Sequence, residues 1–172
     1  MRAALFDSSV YISGMRRGDS AVLALRRFSV DAPLWLSAVV LEELYAGASG
    51  RVRQSLERME RDFDRVKRIL VPTLGDWTQA GRVLARLAAR DGYETIGHGR
   101  LANDALIATS AARMGATVIT ANERDFARLA EFRAFQWQVA IKVRPESILM
   151  ACLLGFPARK PVPCIRQHRP DH

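Results

Sequence analysis

Asp104-Ala105-Leu106-Ile107-Ala108-Thr109-Ser110-Ala111-Ala112-Arg113-Met114-Gly115-Ala116-Thr117-Val118-Ile119-Thr120 decides the fold class. Residues 104–113 read as a helix whose apolar face carries Ile107, Ala108 and Ala111. Gly115 is a natural stop, because glycine enters the left-handed region without steric cost. Thr117–Thr120 is β-branched throughout and reads as a buried strand. The same alternation recurs outward from this stretch. Residues 3–6 form a short apolar strand ending at Asp7, with Ser8 and Ser9 as cap residues for a helix from about Val10. A helix is expected over 20–28. Leu34-Trp35-Leu36 follows Pro33 as a strand. Ser37 is a good N-cap for a helix over 38–46 that Gly47 stops. Residues 51–70 place Val52, Leu56, Met59, Phe63, Val66 and Leu70 on one helical stripe, with Ile69-Leu70-Val71 readable instead as a short strand ended by Pro72. Further helices are expected over 77–90 and 125–130, and a last strand over 136–141. Strands alternating with helices predict an α/β fold. Its natural form is three layers, α/β/α, around a mostly parallel sheet of about five strands.

The 172 residues suit one domain with a short appendage. Five of the seven prolines crowd into the last 28 residues, from Pro145 to Pro170. The expected division is a domain over 1–145 and a Pro-rich extension over 146–172. Within the extension a short docking helix is expected over 148–154, and an irregular or disordered tail from Pro157. Twenty-six basic against 18 acidic residues give a net charge of +8. That balance points to a polyanionic partner, nucleic acid first. The basic residues are almost all arginine, which grips phosphate bidentately. The only cysteines, Cys152 and Cys164, have no metal or disulfide spacing, which fits a reducing cytoplasm. The N-terminal apolar run meets Asp7 too soon for a secretory leader, and no apolar stretch approaches a membrane span. No membrane partner is expected.

Four carboxylates carry the chemistry. Asp7 sits directly after a strand, where open α/β sheets bind ligands. Glu42 and Glu43 separate on a helical wheel: at about 100° per residue, Glu43 falls between Val39 and Val40 on the inward arc, and Glu42 falls outside. Asp104 lies among Ile107, Ala108 and Ala111, on the inward face. Asp125 follows the strand 117–120, with Asn122 three residues before it as a candidate N-cap. Each has an ordinary alternative: a turn or cap for Asp7, Asp104 and Asp125, and an arginine pair for Glu43. Glu123 and Glu42 read as surface charges. Together, however, four clustered anions repel strongly, and a hard dication relieves that cost. A carboxylate-rich, histidine-free set suits Mg²⁺ or Mn²⁺ rather than zinc. Such a metal beside many arginines points to phosphodiester chemistry. Thr120 and Asn122 are positioned to support the acids.

Four stretches also resemble a known family: Leu5-Phe6-Asp7-Ser8-Ser9-Val10-Tyr11-Ile12, residues 36–47 around Glu43, Asn103-Asp104-Ala105-Leu106-Ile107-Ala108, and Thr120-Ala121-Asn122-Glu123-Arg124-Asp125-Phe126. In order and spacing they resemble PIN-domain nucleases of the VapC toxin type over about residues 1–142. The resemblance maps the family's acids onto Asp7, Glu43, Asp104 and Asp125, as catalytic residues and metal ligands. Some family members place an acid where Asn122 stands. Ser9, Thr120 and Asn122 fall in supporting or substrate-contacting positions. The resemblance implies a Mg²⁺- or Mn²⁺-dependent endoribonuclease, often homodimeric, silenced by a small cognate antitoxin. The alternative is a PIN-type RNA-binding or RNA-processing protein outside any toxin–antitoxin pair. A metal phosphatase lacks support, because Asp7-Ser8-Ser9 supplies one acid where Asp-x-Asp is needed. Gly97-His98-Gly99 lacks the third glycine of a dinucleotide loop. No Ser or Cys nucleophile stands beside a histidine base. Arg100 and Arg124 are near the acids in sequence, and the three tryptophans are expected to pack in the core or an interface.

Overall fold

A computed structural model describes residues 2–15, 33–95 and 100–140. The expected helices over 20–28 and 148–154, the tail, the loop 97–99, both cysteines and the 145/146 boundary lie outside them. Chain order is β1 (Ala4–Phe6), α1 (Ser8–Met15), β2 (Leu34–Ser37), α2 (Ala38–Ala46), α3 (Gly50–Arg65), β3 (Ile69–Leu70) and α4 (Leu74–Asp91). A 3₁₀ turn (Tyr93–Thr95), α5 (Arg100–Met114), β4 (Thr117–Thr120), α6 (Glu123–Ala130) and β5 (Gln136–Val139) complete it.

The five strands form one sheet in the order β3-β2-β1-β4-β5, and every pairing is parallel. Helices cover both faces, giving the α/β/α layers expected from the sequence. Leu5, Leu36 and Val118 are fully buried, one on each of the three central strands. The sheet grows in one direction from β1 to β3 and in the other from β4 to β5. β1 and β4 therefore flank the switch point, where a crevice opens at the strand C-termini. Asp7 and Thr120 stand at that point.

The long helix expected over 51–70 divides. α3 stops at Arg65, and Lys67 takes a left-handed φ of 54°. The Lys67 and Arg68 amides donate to the Asp64 and Phe63 carbonyls and close the helix end. The chain then enters β3 beside β2, as the strand alternative for Ile69-Leu70 anticipated. The predicted stripe is core in part: Leu56, Met59 and, from β3, Leu70 are buried, whereas Val52 is 42% and Val66 53% exposed. α4 begins at Leu74, three residues before the expected start. Thr73 and Asp76 form a reciprocal capping box there. Buried Asp76 also accepts from Arg113 Nε at 2.9 Å, tying α4 to α5. Burial opposes ionisation of Asp76, but the Thr73 donors and the Arg113 guanidinium outweigh it and hold its pKa below the ordinary value. α5 ends as expected, with Gly115 at φ 68°. β5 ends at Val139, so Ala140, expected in the strand, falls outside it, and Ile141 lies outside the described residues. Trp137 is core and Trp35 half-buried, but Trp77 is exposed and so is not a core residue of this chain. No helix among the described residues is long and apolar enough to cross a membrane.

Truncating Leu56 to Ala removes a side chain that is 1% exposed. It should cost about 2–4 kcal/mol in urea unfolding. Val66→Ala, on the same sequence stripe, should change stability by less than about 0.5 kcal/mol.

Candidate active site

The site is built from the ends of β1 and β4. Asp7 is 2% exposed and carries three neutral donors. Its Oδ1 accepts the Ser8 amide at 2.8 Å. Its Oδ2 accepts the Ser9 hydroxyl at 2.5 Å and the Thr120 hydroxyl at 2.9 Å. Ser8 and Ser9 therefore do not cap α1 as expected. The helix starts at Ser8 itself, and Ser9 bonds back to the acid. The clamp continues across the crevice: the Ala121 amide donates to Ser9 Oγ and the Asn122 amide to Thr120 Oγ1. Two parallel strand ends are thus sewn together through one carboxylate.

Of the two roles the sequence offers Asn122, the cap is not taken. The residue occupies the N-cap position of α6, but its side chain makes no cap bond. Its amide instead donates to Asp104 Oδ2 at 3.2 Å and to Asp125 Oδ2 at 2.9 Å. Asp104 is 5% exposed. Burial, then the charges of Asp7, Glu43 and Asp125, push its pKa up to about 8, with only the Asn122 bond opposing. That coupling brings all four predicted acids into one electrostatic neighbourhood. Glu43 is half-buried on α2, while Glu42 is exposed, as the helical wheel requires. Glu43 Oε1 accepts Asn103 Nδ2 at 3.0 Å. Glu43 Oε2 is buried and has no partner among the described residues. Asp125 lies at the rim, 3.5 Å from Arg128, which in turn bonds Asp91. Asn103 and Arg128 were not singled out in the sequence. Arg128 stands three residues after Asp125 on a helix, which is a readable ion-pair spacing; Asn103 had no signal beyond its place beside Asp104.

The donor set has the chemistry that a hard dication requires. Among the described side chains, which do not include that of Arg100, no basic group pairs with Asp7, Glu43 or Asp104. The available ligand atoms are carboxylate and hydroxyl oxygens, and one buried carboxylate oxygen is unsatisfied. This chemistry fits Mg²⁺ or Mn²⁺. No three acidic, histidine or cysteine side chains among the described residues stand at metal-binding spacing. Asp7, Glu43, Asp104 and Asp125 rest on hydroxyl and amide donors instead.

The PIN-domain family model matches residues 4–132. The chain belongs to the PIN-domain family. Comparison with curated proteins finds no match. Among solved structures, this PIN domain is similar to a chain of the DNA-bound VapBC complex from Salmonella typhimurium. Identity is 20% and the TM-score 0.59, over 81% of this chain and 98% of that one. It is likewise similar to a chain of VapBC2 from Rickettsia felis bound to a promoter DNA fragment, at 20% identity and TM-score 0.58, over 81% and 99%. VapBC-1 from nontypeable Haemophilus influenzae aligns at 25% identity and TM-score 0.56, over 80% and 97%. The matched chains are covered almost end to end, so this PIN domain shares their fold throughout.

The raised Asp104 pKa has a sign that can be measured. Unfolded, this carboxyl ionises near 3.8; folded, it holds its proton to about pH 8. The folded state binds the extra proton between those values, so metal-free stability falls as pH rises from about 4 to about 8. Asp104→Asn should remove much of that fall. The variant should be more stable than wild type by about 2–4 kcal/mol at pH 8 and little different at pH 4, read by chemical unfolding in chelator.

Proposed function

We propose that this chain is a Mg²⁺- or Mn²⁺-dependent endoribonuclease, the toxin of a toxin–antitoxin pair restrained by a small cognate antitoxin. In this reading it acts in the cytoplasm on RNA and works as a homodimer. One observation carries the proposal: a buried carboxyl, Asp104, is surrounded by the charges of three other acids, and no basic group among the described side chains pairs with it. A structural ion-pair cluster would supply its own guanidinium. A metal site leaves that charge to the ion. The PIN family membership and the likeness to VapBC chains support the choice of RNA hydrolysis and of an antitoxin partner.

Asp7, Asp104, Glu43 and Asp125 would hold the ion. When bound, a divalent ion lowers the pKa of water and offsets charge on the phosphoryl and leaving oxygens. The chain's own contribution is positional. Ser9 and Thr120 fix Asp7 by its Oδ2. Asn122 spaces Asp104 from Asp125 with one amide. Glu43 keeps a carboxylate oxygen without a hydrogen-bond partner among the described residues, available to accept a proton or a ligand. The exposed Arg124 lies between Asn122 and Asp125 in the chain, where a guanidinium meets an RNA phosphate.

The purified chain should cleave RNA in Mg²⁺ or Mn²⁺ and stop in excess chelator. Asp7→Asn and Asp104→Asn should each lower the rate by at least about 10²-fold with circular dichroism unchanged. Induced alone it should arrest growth, and co-expression of a short neighbouring reading frame should relieve the arrest. Metal-independent cleavage, or full activity in either variant, contradicts the proposal.

A further inference from the structure

We infer that Asn103 is a positioning residue: it orients Glu43 for the metal while leaving its charge intact. The inference rests on the metal-dependent reading proposed above. Asn103 precedes Asp104 on α5, so the two side chains leave the helix about 100° apart. Asp104 enters the acid pocket, and Asn103 reaches α2. A side-chain amide has two N–H donors. Here Nδ2 lies 3.0 Å from Glu43 Oε1 and 3.4 Å from Glu42 Oε2. One neutral group thus serves two adjacent carboxylates on the neighbouring helix.

The neutrality matters. An arginine or lysine at this position would fix Glu43 equally well but would cancel the charge that an ion needs. The amide fixes one oxygen and cancels nothing. The other oxygen, Oε2, is buried without a partner among the described residues. An unpaired buried carboxylate oxygen is costly unless a cation completes it. The charge of Glu43 still reaches Asp104, where it helps to raise the carboxyl pKa. Glu42, exposed and more distant, takes the weaker share of the amide. Without Asn103, Glu43 loses its one donor among the described residues and is free to turn away from the site.

The test measures Mn²⁺ affinity of the full chain by electron paramagnetic resonance of free Mn²⁺, with thermal unfolding in chelator alongside. Asn103→Ala and the volume-conserving Asn103→Leu should weaken Mn²⁺ binding by about 10- to 100-fold. The Asn103 side chain is half-buried, so both variants should melt close to wild type. The deciding arm is a double-mutant cycle. In a Glu43→Gln background, Asn103→Ala should produce no further loss, because the residue it positions is already disabled. Wild-type affinity in both single variants, or an equal loss in both backgrounds, overturns the positioning role while leaving the metal site standing. A wild-type chain that binds no Mn²⁺ removes the metal-dependent reading and this inference with it.

Discussion

Buried carboxylates that cannot be neutralised from within organise this molecule. Asp7 and Asp104 are nearly inaccessible to water, and their field is shared with Glu43 and Asp125. Charges so placed repel one another, and desolvation adds to the cost. The fold absorbs part of that cost with neutral donors: Ser9 and Thr120 on Asp7, Asn122 between Asp104 and Asp125, Asn103 on Glu43. It absorbs another part by protonating Asp104. Elsewhere the chain pairs its acids with cations in the ordinary way. Asp76 holds Arg113, and Asp91 holds both Arg90 and Arg128. The contrast locates function, because Asp7 and Asp104 are buried acids that no described basic side chain pairs with.

Parallel topology explains why these residues meet. A parallel strand pair aligns C-terminal ends, so the residues following β1 and β4 fall side by side although more than a hundred positions separate them. α2 and α5 then supply one acid each from inward faces. The basic character of the chain is distributed differently. The described residues carry 16 basic and 14 acidic side chains, nearly a balance. Most of the net +8 therefore belongs to residues 16–32 and 141–172. The attraction to a polyanion and the acid pocket thus reside in different parts of the sequence, which keeps the pocket's own field negative.

Much of this was legible in the sequence because the signals were local. Glycine at 115, serine at 37 and the β-branched run 117–120 each determine backbone geometry within a few residues. The inward placement of Glu43 over Glu42 followed from helical periodicity alone. Signals failed where tertiary structure intervened. The apolar stripe over 51–70 ran through a helix end, since Leu70 satisfies helical spacing and strand pairing equally well; the left-handed Lys67 and the β2 edge chose the strand. Ser8, Ser9 and Asn122 have cap chemistry, and caps are the commonest use of such residues. Here the Ser8 amide and Ser9 hydroxyl turn to the adjacent Asp7, and the Asn122 amide reaches Asp104 on another helix as well as nearby Asp125, a tertiary demand that outweighs capping. Asn103 was hidden for the same reason, as its partners lie sixty positions away on α2.

The most direct trial of this account is the anomalous scattering of crystals grown or soaked in Mn²⁺. The predicted result is an ion coordinated by carboxylate oxygens of Asp7 and Asp104, with Glu43 or Asp125 completing the group. A map with no ion among these side chains, or with Arg100 or a lysine or arginine from residues 16–32 or 141–172 seated against Asp104, would contradict it.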